Sequence, residues 1–111
     1  MPQEGDKATR KTTATVINRS EDVREYVLHR AGGICEHCRR HGFVRRDGKM
    51  YLETHHVIPI ADDGADSIDN VIALYANCHR EGHHGARAPE LVKKFTRIVR
   101  TANGLKKWPG P

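Results

Sequence analysis

Seven of the chain's eight histidines fall between His37 and His84, and its three cysteines, Cys35, Cys38 and Cys78, lie in or beside the same stretch. A fold built from this sequence must bring many nitrogen and sulfur donors close together, which favours a metal-binding domain. The cysteine count is odd and includes a CxxC spacing. No apolar signal-peptide core follows the polar start Met1 to Arg10, so a reducing cytoplasm is the expected compartment, where such cysteines read as metal ligands before disulfides. At 111 residues, 37% hydrophobic and only 5% aromatic, one domain with a thin core is expected. The net charge of +5 favours a polyanionic partner. No run of ~18 apolar residues is present to span a membrane.

Local patterns place the donors on elements. Residues 1–19 are Thr-rich, basic and aperiodic, and read as a mobile arm, with an edge strand at Ala14 to Ile17 as the alternative. Val23, Tyr26, Val27 and Ala31 share one helical face, with Ser20 or Asn18 as cap and Gly32-Gly33 as stop. Asp47-Gly48 between two strand-like runs predicts a hairpin with a primed turn, its second strand continuing to Val57 before Pro59 ends regular pairing. Ala61 to Asn70 has loop composition, and Val71 to Leu74 is a short strand returning to the first. Asn77 is positioned to cap a helix carrying Cys78, His79 and His83. A last helix starts near Pro89 and ends near Asn103-Gly104, with Leu91, Phe95, Ile98, Val99 and Ala102 as its apolar stripe.

His79 and His83 are four residues apart, so on a helix both imidazoles project from one face and can share an ion. Adjacent His55 and His56 on a strand point to opposite faces. One can join the helical pair as a third ligand while the other stays free to move a proton. Three imidazoles with an open position suit a divalent metal acting as a Lewis acid. Asn70, at the end of the polar loop, could fix that loop by binding a backbone group near His56.

An HxxxH or a His-His pair alone is a weak signal, and a CxxC alone a moderate one. Together, in this order and within ~50 residues, they are specific. The runs Leu52-Glu53-Thr54-His55-His56-Val57-Ile58-Pro59, Asp69-Asn70-Val71-Ile72-Ala73-Leu74 and Asn77-Cys78-His79-Arg80-Glu81 resemble the signature of the HNH nuclease family. The likeness spans roughly Ser20 to Gly85 and is greatest to bacterial HNH endonucleases of the modified-cytosine restriction type.

The resemblance implies an α+β fold: a ββα-metal (His-Me finger) motif with an N-terminal helix, a zinc-knuckle-like CxxC element and a C-terminal helix. The implied boundaries are an arm over 1–19, a nuclease domain over 20–104 and a tail over 105–111. It implies metal-dependent hydrolysis of DNA phosphodiesters. His55, His79 and His83 would hold one divalent ion (Mg, Mn, Ni or Zn), with His84 a substitute if the helix ends early. His56 would be the general base, Asn70 would orient it, and Glu53 falls on the family's acidic position. Arg45, Arg46, Lys49, Arg80, Arg87, Lys93, Lys94 and Arg97 are candidate phosphate contacts.

One departure concerns the knuckle. Relatives carry a second CxxC ending at the position of Cys78, and its first cysteine is here Tyr75. Either a structural zinc is held by Cys35, Cys38, Cys78 and a substitute such as His41, or the knuckle is metal-free and held by packing. A homodimer would suit cleavage of both strands. The alternative function is a zinc-stapled nucleic-acid-binding module without catalysis, which a closed four-ligand site would favour.

Overall fold

The computed structural model describes residues 20–105, so the arm expected over 1–19 and residues 106–111 of the expected tail lie outside the described residues. The domain is α+β: helix α1 (Ser20–Ala31), strand β1 (Glu53–His56), a 3-10 turn (Ile60–Asp62), strand β2 (Val71–Leu74), helix α2 (Ala76–His84) and helix α3 (Ala88–Leu105). Among these residues no helix is long and apolar enough to cross a membrane.

The two strands pair antiparallel, with Glu53 opposite Leu74 and His56 opposite Val71. All four residues of β2 are buried, which explains its unbroken apolar run. Its other edge is closed by Glu36, whose N–H donates to the Ala73 carbonyl while its carboxylate accepts the Ala73 N–H, each at 3.0 Å. Val23, Tyr26 and Val27 of α1 and Leu91, Phe95 and Val99 of α3 complete the core around this strand.

A buried ion pair ties these layers together. Arg30 and Glu36 are 2% and 6% exposed, and a charge so buried is costly unless fully bonded. The Arg30 guanidinium makes two bonds to Glu36 at 2.7 and 2.8 Å and further bonds to the Val71 and Ile68 carbonyls and to Asn103 Oδ1. All five of its N–H donors are thereby used.

That network explains one difference from the sequence expectation. Asn103 and Gly104 do not stop α3 but lie within it. The Asn103 side chain accepts from Tyr26 and Arg30 and donates to Ile68 and Asp69, so tertiary bonds hold a residue that would otherwise favour a helix end. At the other end Ser20 is the first helical residue of α1, and its hydroxyl donates to Asp66 at 2.5 Å. Helix α2 likewise begins two residues earlier than expected: Tyr75 occupies the cap position, without a side-chain capping bond, and Asn77 is inside the helix.

The 43–52 hairpin is shorter in pairing than expected. It holds one isolated bridge, Val44 with Met50, and regular pairing begins only at Glu53. Its turn has Gly48 at φ +90° while Asp47 is not at positive φ, which excludes a primed type I′ turn. Bonds from Gly48 N–H to Arg45 and from Arg45 N–H to Lys49 describe a three-residue loop with glycine in the left-handed position.

Candidate metal and proton-transfer site

Strand alternation divides β1 into two working faces. Glu53 and His55 face α2, while Thr54 and His56 border a recess of about 180 Å³ shared with Ser20, Val23, Arg24, Ile60, Asp66 and Val71. On the first face His55 meets His79 and His83, with ring centroids 5.1 and 4.7 Å away. One ligand atom of each of the three lies within 4.8 Å of the others. Their one-turn spacing brings His79 Nε2 to 3.2 Å from His83 Nε2. His84 is exposed and outside this group.

The donor set fits a divalent ion. His55 is 6% exposed, and its Nδ1 is buried with no hydrogen-bond partner. Burial, reinforced by the neighbouring His79, His83 and His56, lowers its pKa to about 4, so the ring is held in the neutral, ligating form. Burial foremost also lowers His83, with His79, His84 and Arg80 adding to the effect. His79 Nδ1 lies 2.7 Å from Glu53 Oε1, and the other Glu53 oxygen accepts the Tyr51 hydroxyl at 2.6 Å. Those bonds, the Tyr51 hydroxyl first and His79 second, hold the Glu53 carboxyl below its usual range. A carboxylate on Nδ1 leaves His79 Nε2 as the free donor atom.

Packing accounts for Gly82 inside α2, where glycine costs roughly 1 kcal/mol relative to alanine. A Cβ there would stand 3.3 Å from the Phe95 ring and 3.4 Å from His55 Nε2. Phe95 of α3 meets the His55 ring edge-on at 5.8 Å and the His37 ring at 5.2 Å, which places one aromatic wall between the imidazole cluster and the cysteine loop.

On the opposite face of β1, His56 Nε2 lies 2.8 Å from Asp66 Oδ1. Asp66 is in turn held by the Ser20 hydroxyl. Asn70 makes no bond to His56. It clamps the backbone two residues on, accepting from Ile58 N–H and donating to the Ile58 and Ala65 carbonyls, all at 2.8–2.9 Å. The residue that touches His56 is therefore Asp66, which the sequence reading missed because the loop holds four aspartates and no periodicity distinguishes them. Phe95 and Ser20 were missed because their contacts span distant parts of the chain, and Tyr51, only two residues from Glu53, because nothing in the local pattern marks its hydroxyl as a partner.

The three cysteines form a second cluster. All are free thiols, with sulfurs within 4.8 Å of one another. Burial opposes ionisation of Cys35, but N–H groups of Tyr75, Cys38 and His37 point to its sulfur and lower its pKa overall. Cys78 is driven strongly upward by burial and by the adjacent Cys38 and Cys35. Such a set ionises fully only with a cation present. His41, the expected fourth ligand, is exposed, pairs with Ile34 in a backbone bridge and stands outside this cluster. Tyr75 contributes its backbone N–H, and its ring lies 5.5 Å from the Arg40 guanidinium.

The candidate phosphate contacts are all exposed. Arg45, Arg46 and Lys49 cluster at the hairpin turn, and Arg80 lies on α2. Arg87 is paired to Glu90 at 2.7 Å. Lys93, Lys94 and Arg97 line a shallow groove of about 450 Å³ with Pro89 and Glu90 on α3.

Two strands, a tied loop and a helix that group three imidazoles on one face and a lone His-Asp pair on the other define the ββα-metal class of site. Residues 35–85 match the HNH endonuclease family, so the chain carries a domain of that family. It is 46% identical over 79 residues to the Type IV methyl-directed restriction enzyme EcoKMcrA of Escherichia coli (strain K12), a match covering 70% of this chain and 28% of the enzyme. The solved structure of the Type IV phosphorothioation-dependent restriction endonuclease ScoMcrA is similar with a TM-score of 0.68 and 30% identity, over 76% of this chain and 16% of that one. The chain thus spans less than a third of the length of each of these relatives.

Proposed function

We propose that the chain is a metal-dependent DNA endonuclease that hydrolyses phosphodiesters, with His56 as general base. The observation that carries this reading is the division of labour across β1: His55 sits with His79 and His83, while His56 is paired to Asp66 on the opposite face. The imidazole group has three members among the described residues, which supports an open, catalytic position over the closed site of a purely structural module.

His55, His79 and His83 would hold the ion. When bound, it would stabilise negative charge on the phosphate oxygens and the leaving oxygen. Glu53 acts through His79, keeping the proton on Nδ1 and the lone pair on Nε2. His56 donates its Nε2 proton to Asp66, which leaves Nδ1 as the acceptor for a proton from the attacking water. The same carboxylate then stabilises the imidazolium that forms. Asn70 keeps the loop that carries Asp66 against the end of β1. Arg45, Arg46, Lys49, Arg80, Lys93, Lys94 and Arg97 supply the charge that holds the backbone of the substrate. Cys35, Cys38 and Cys78 would hold a structural zinc.

Plasmid nicking by the purified chain with Mg, Mn, Ni or Zn in turn tests the reading. His56→Ala should lower the rate by ~100 to 10,000-fold with metal binding intact, and Asp66→Asn should give a smaller loss. Equal nicking by wild type and His56→Ala would remove His56 from this role.

A further inference from the structure

The exposed large apolar side chains among the described residues are Phe43, Val44, Met50, Ile58 and Ile60, and all five flank β1, on the hairpin before it or the loop after it. Scattered exposed apolar residues are ordinary, but a group confined to the rim of a site marks a contact surface. Phe43 and Val44 are the most exposed, at 65% and 63%.

Phe43 is also rigidly presented. Its ring stacks on Tyr51 with centroids 4.7 Å apart and planes 11° from parallel. Its carbonyl accepts the Tyr51 N–H at 2.7 Å. Tyr51 is in turn linked by its hydroxyl to Glu53, and Glu53 to His79. The stacked pair therefore stands two hydrogen bonds from a residue of the imidazole cluster. Next to it are Arg45, Arg46 and Lys49. The single acid of the turn, Asp47, accepts the Lys49 N–H and lies 3.6 Å from Arg45. A flat, pre-stacked aromatic face with an aliphatic neighbour and a cationic collar matches the chemistry of nucleobases between phosphates. The surplus of positive charge argues against a protein or a second copy of this chain as occupant.

We propose that the 43–51 hairpin is a wedge for duplex DNA: Phe43 and Val44 enter and unstack a base step while Arg45, Arg46 and Lys49 hold the flanking phosphates. The wedge rests on the endonuclease reading and adds to it a way of gripping the duplex beside the cleaved bond. Through Tyr51 and Glu53, the hairpin that grips the bases also steadies the imidazole that binds the ion.

The test uses the full chain with His56→Ala, so that DNA is bound without being cut, and duplexes carrying 2-aminopurine at successive positions. Binding should raise 2-aminopurine fluorescence at one step. Phe43→Ala should abolish that rise and weaken binding ~10-fold, the order expected for one lost base–aromatic stack, without changing the salt slope. Phe43→Trp should restore both. Arg45→Ala should instead lower the salt slope by about one counterion. Unchanged affinity and fluorescence in Phe43→Ala, or no fluorescence rise in the parent, would overturn the wedge. Light scattering that showed Phe43→Ala to disperse a dimer while DNA binding was unaltered would overturn it in favour of self-association. Plasmid nicking by the chain with His56 intact is followed in parallel. Nicking with a silent Phe43→Ala discards the wedge alone, whereas a full wedge signal without nicking under any ion discards the nuclease reading and leaves the DNA contact standing.

Discussion

Cys78 and His79 are neighbours on α2, yet they belong to clusters of opposite character. The thiol cluster is the more enclosed: Cys35 and Cys78 are buried and Cys38 is half-buried, and backbone N–H groups already point to the Cys35 sulfur. The imidazole cluster is closed only on the His55 side, since His79 is part-exposed and His83 exposed. A soft, enclosed donor set suits a structural ion that joins the cysteine loop to α2. An imidazole set with one open side suits an ion that must reach a substrate. One helix can serve both because successive residues differ by 100° in direction, so Cys78 turns to the core while His79 and His83 turn to β1.

The largest expected contrast is between removing a donor from each cluster. Cys35→Ser should destabilise the fold by several kcal/mol, since binding of a structural metal contributes directly to folding. His79→Ala should leave the melting temperature within a few degrees but abolish nicking and tight binding at the imidazole site. Thermal denaturation with and without chelator, beside calorimetric metal titration, reads both. Equal melting temperatures for Cys35→Ser and wild type would make the knuckle a packed, metal-free element and end the comparison.

Acid should act on the imidazole side of the metal-free protein. The folded pKa of His55 is about 4 against an ordinary 6.5, so between these values the unfolded chain binds a proton that the folded chain refuses. Stability is therefore complete above pH 6.5 and falls as pH drops toward 4, by about 2 kcal/mol at pH 5 and about 3 kcal/mol at the end of the window. Urea denaturation of chelated protein at pH 7.5 and 5 measures it, with His55→Gln as the flattened control. A wild type as flat as that control would show that His55 is hydrated, and the contrast of one buried and two accessible imidazoles would fail.

The smallest expected effect concerns Tyr75. Its replacement by cysteine adds a thiol beside a cluster that already receives the Tyr75 backbone N–H. Tyr75→Cys should raise the melting temperature in zinc by a few degrees and make it more sensitive to chelator. No change would mean that three thiolates already suffice, or that residue 75 points away from the ion.

Much of this arrangement is legible in the residues. The stripes of α1 and α3 are periodic, the apolar run of β2 is unbroken, and the donors of both clusters are marked by local spacing. One miss came from a long-range bond that overrode a local preference. Asn103-Gly104 looks like a helix end until Arg30 and Tyr26 hold Asn103 in place. Asp47-Gly48 looks like a two-residue primed turn, but the exposed hairpin closes through a three-residue loop with Gly48 at positive φ and a single isolated bridge among the described residues.

By itself the sequence determined which atoms are available and which of them share a face, because the periods of helix and strand follow from backbone geometry alone. It placed His79 with His83 and set His55 apart from His56. Only the tertiary structure decided each donor's partner. It assigned Asp66 to His56, Glu53 to His79 with Tyr51 bonded to that Glu53, and Phe95 to His55, and it left His41 outside the thiol cluster. Apart from Tyr51 and Glu53, those partners meet across separations set by how α1, the 61–70 loop and α3 close around β1 and β2, and no local period encodes a contact between segments that the chain joins only through its core.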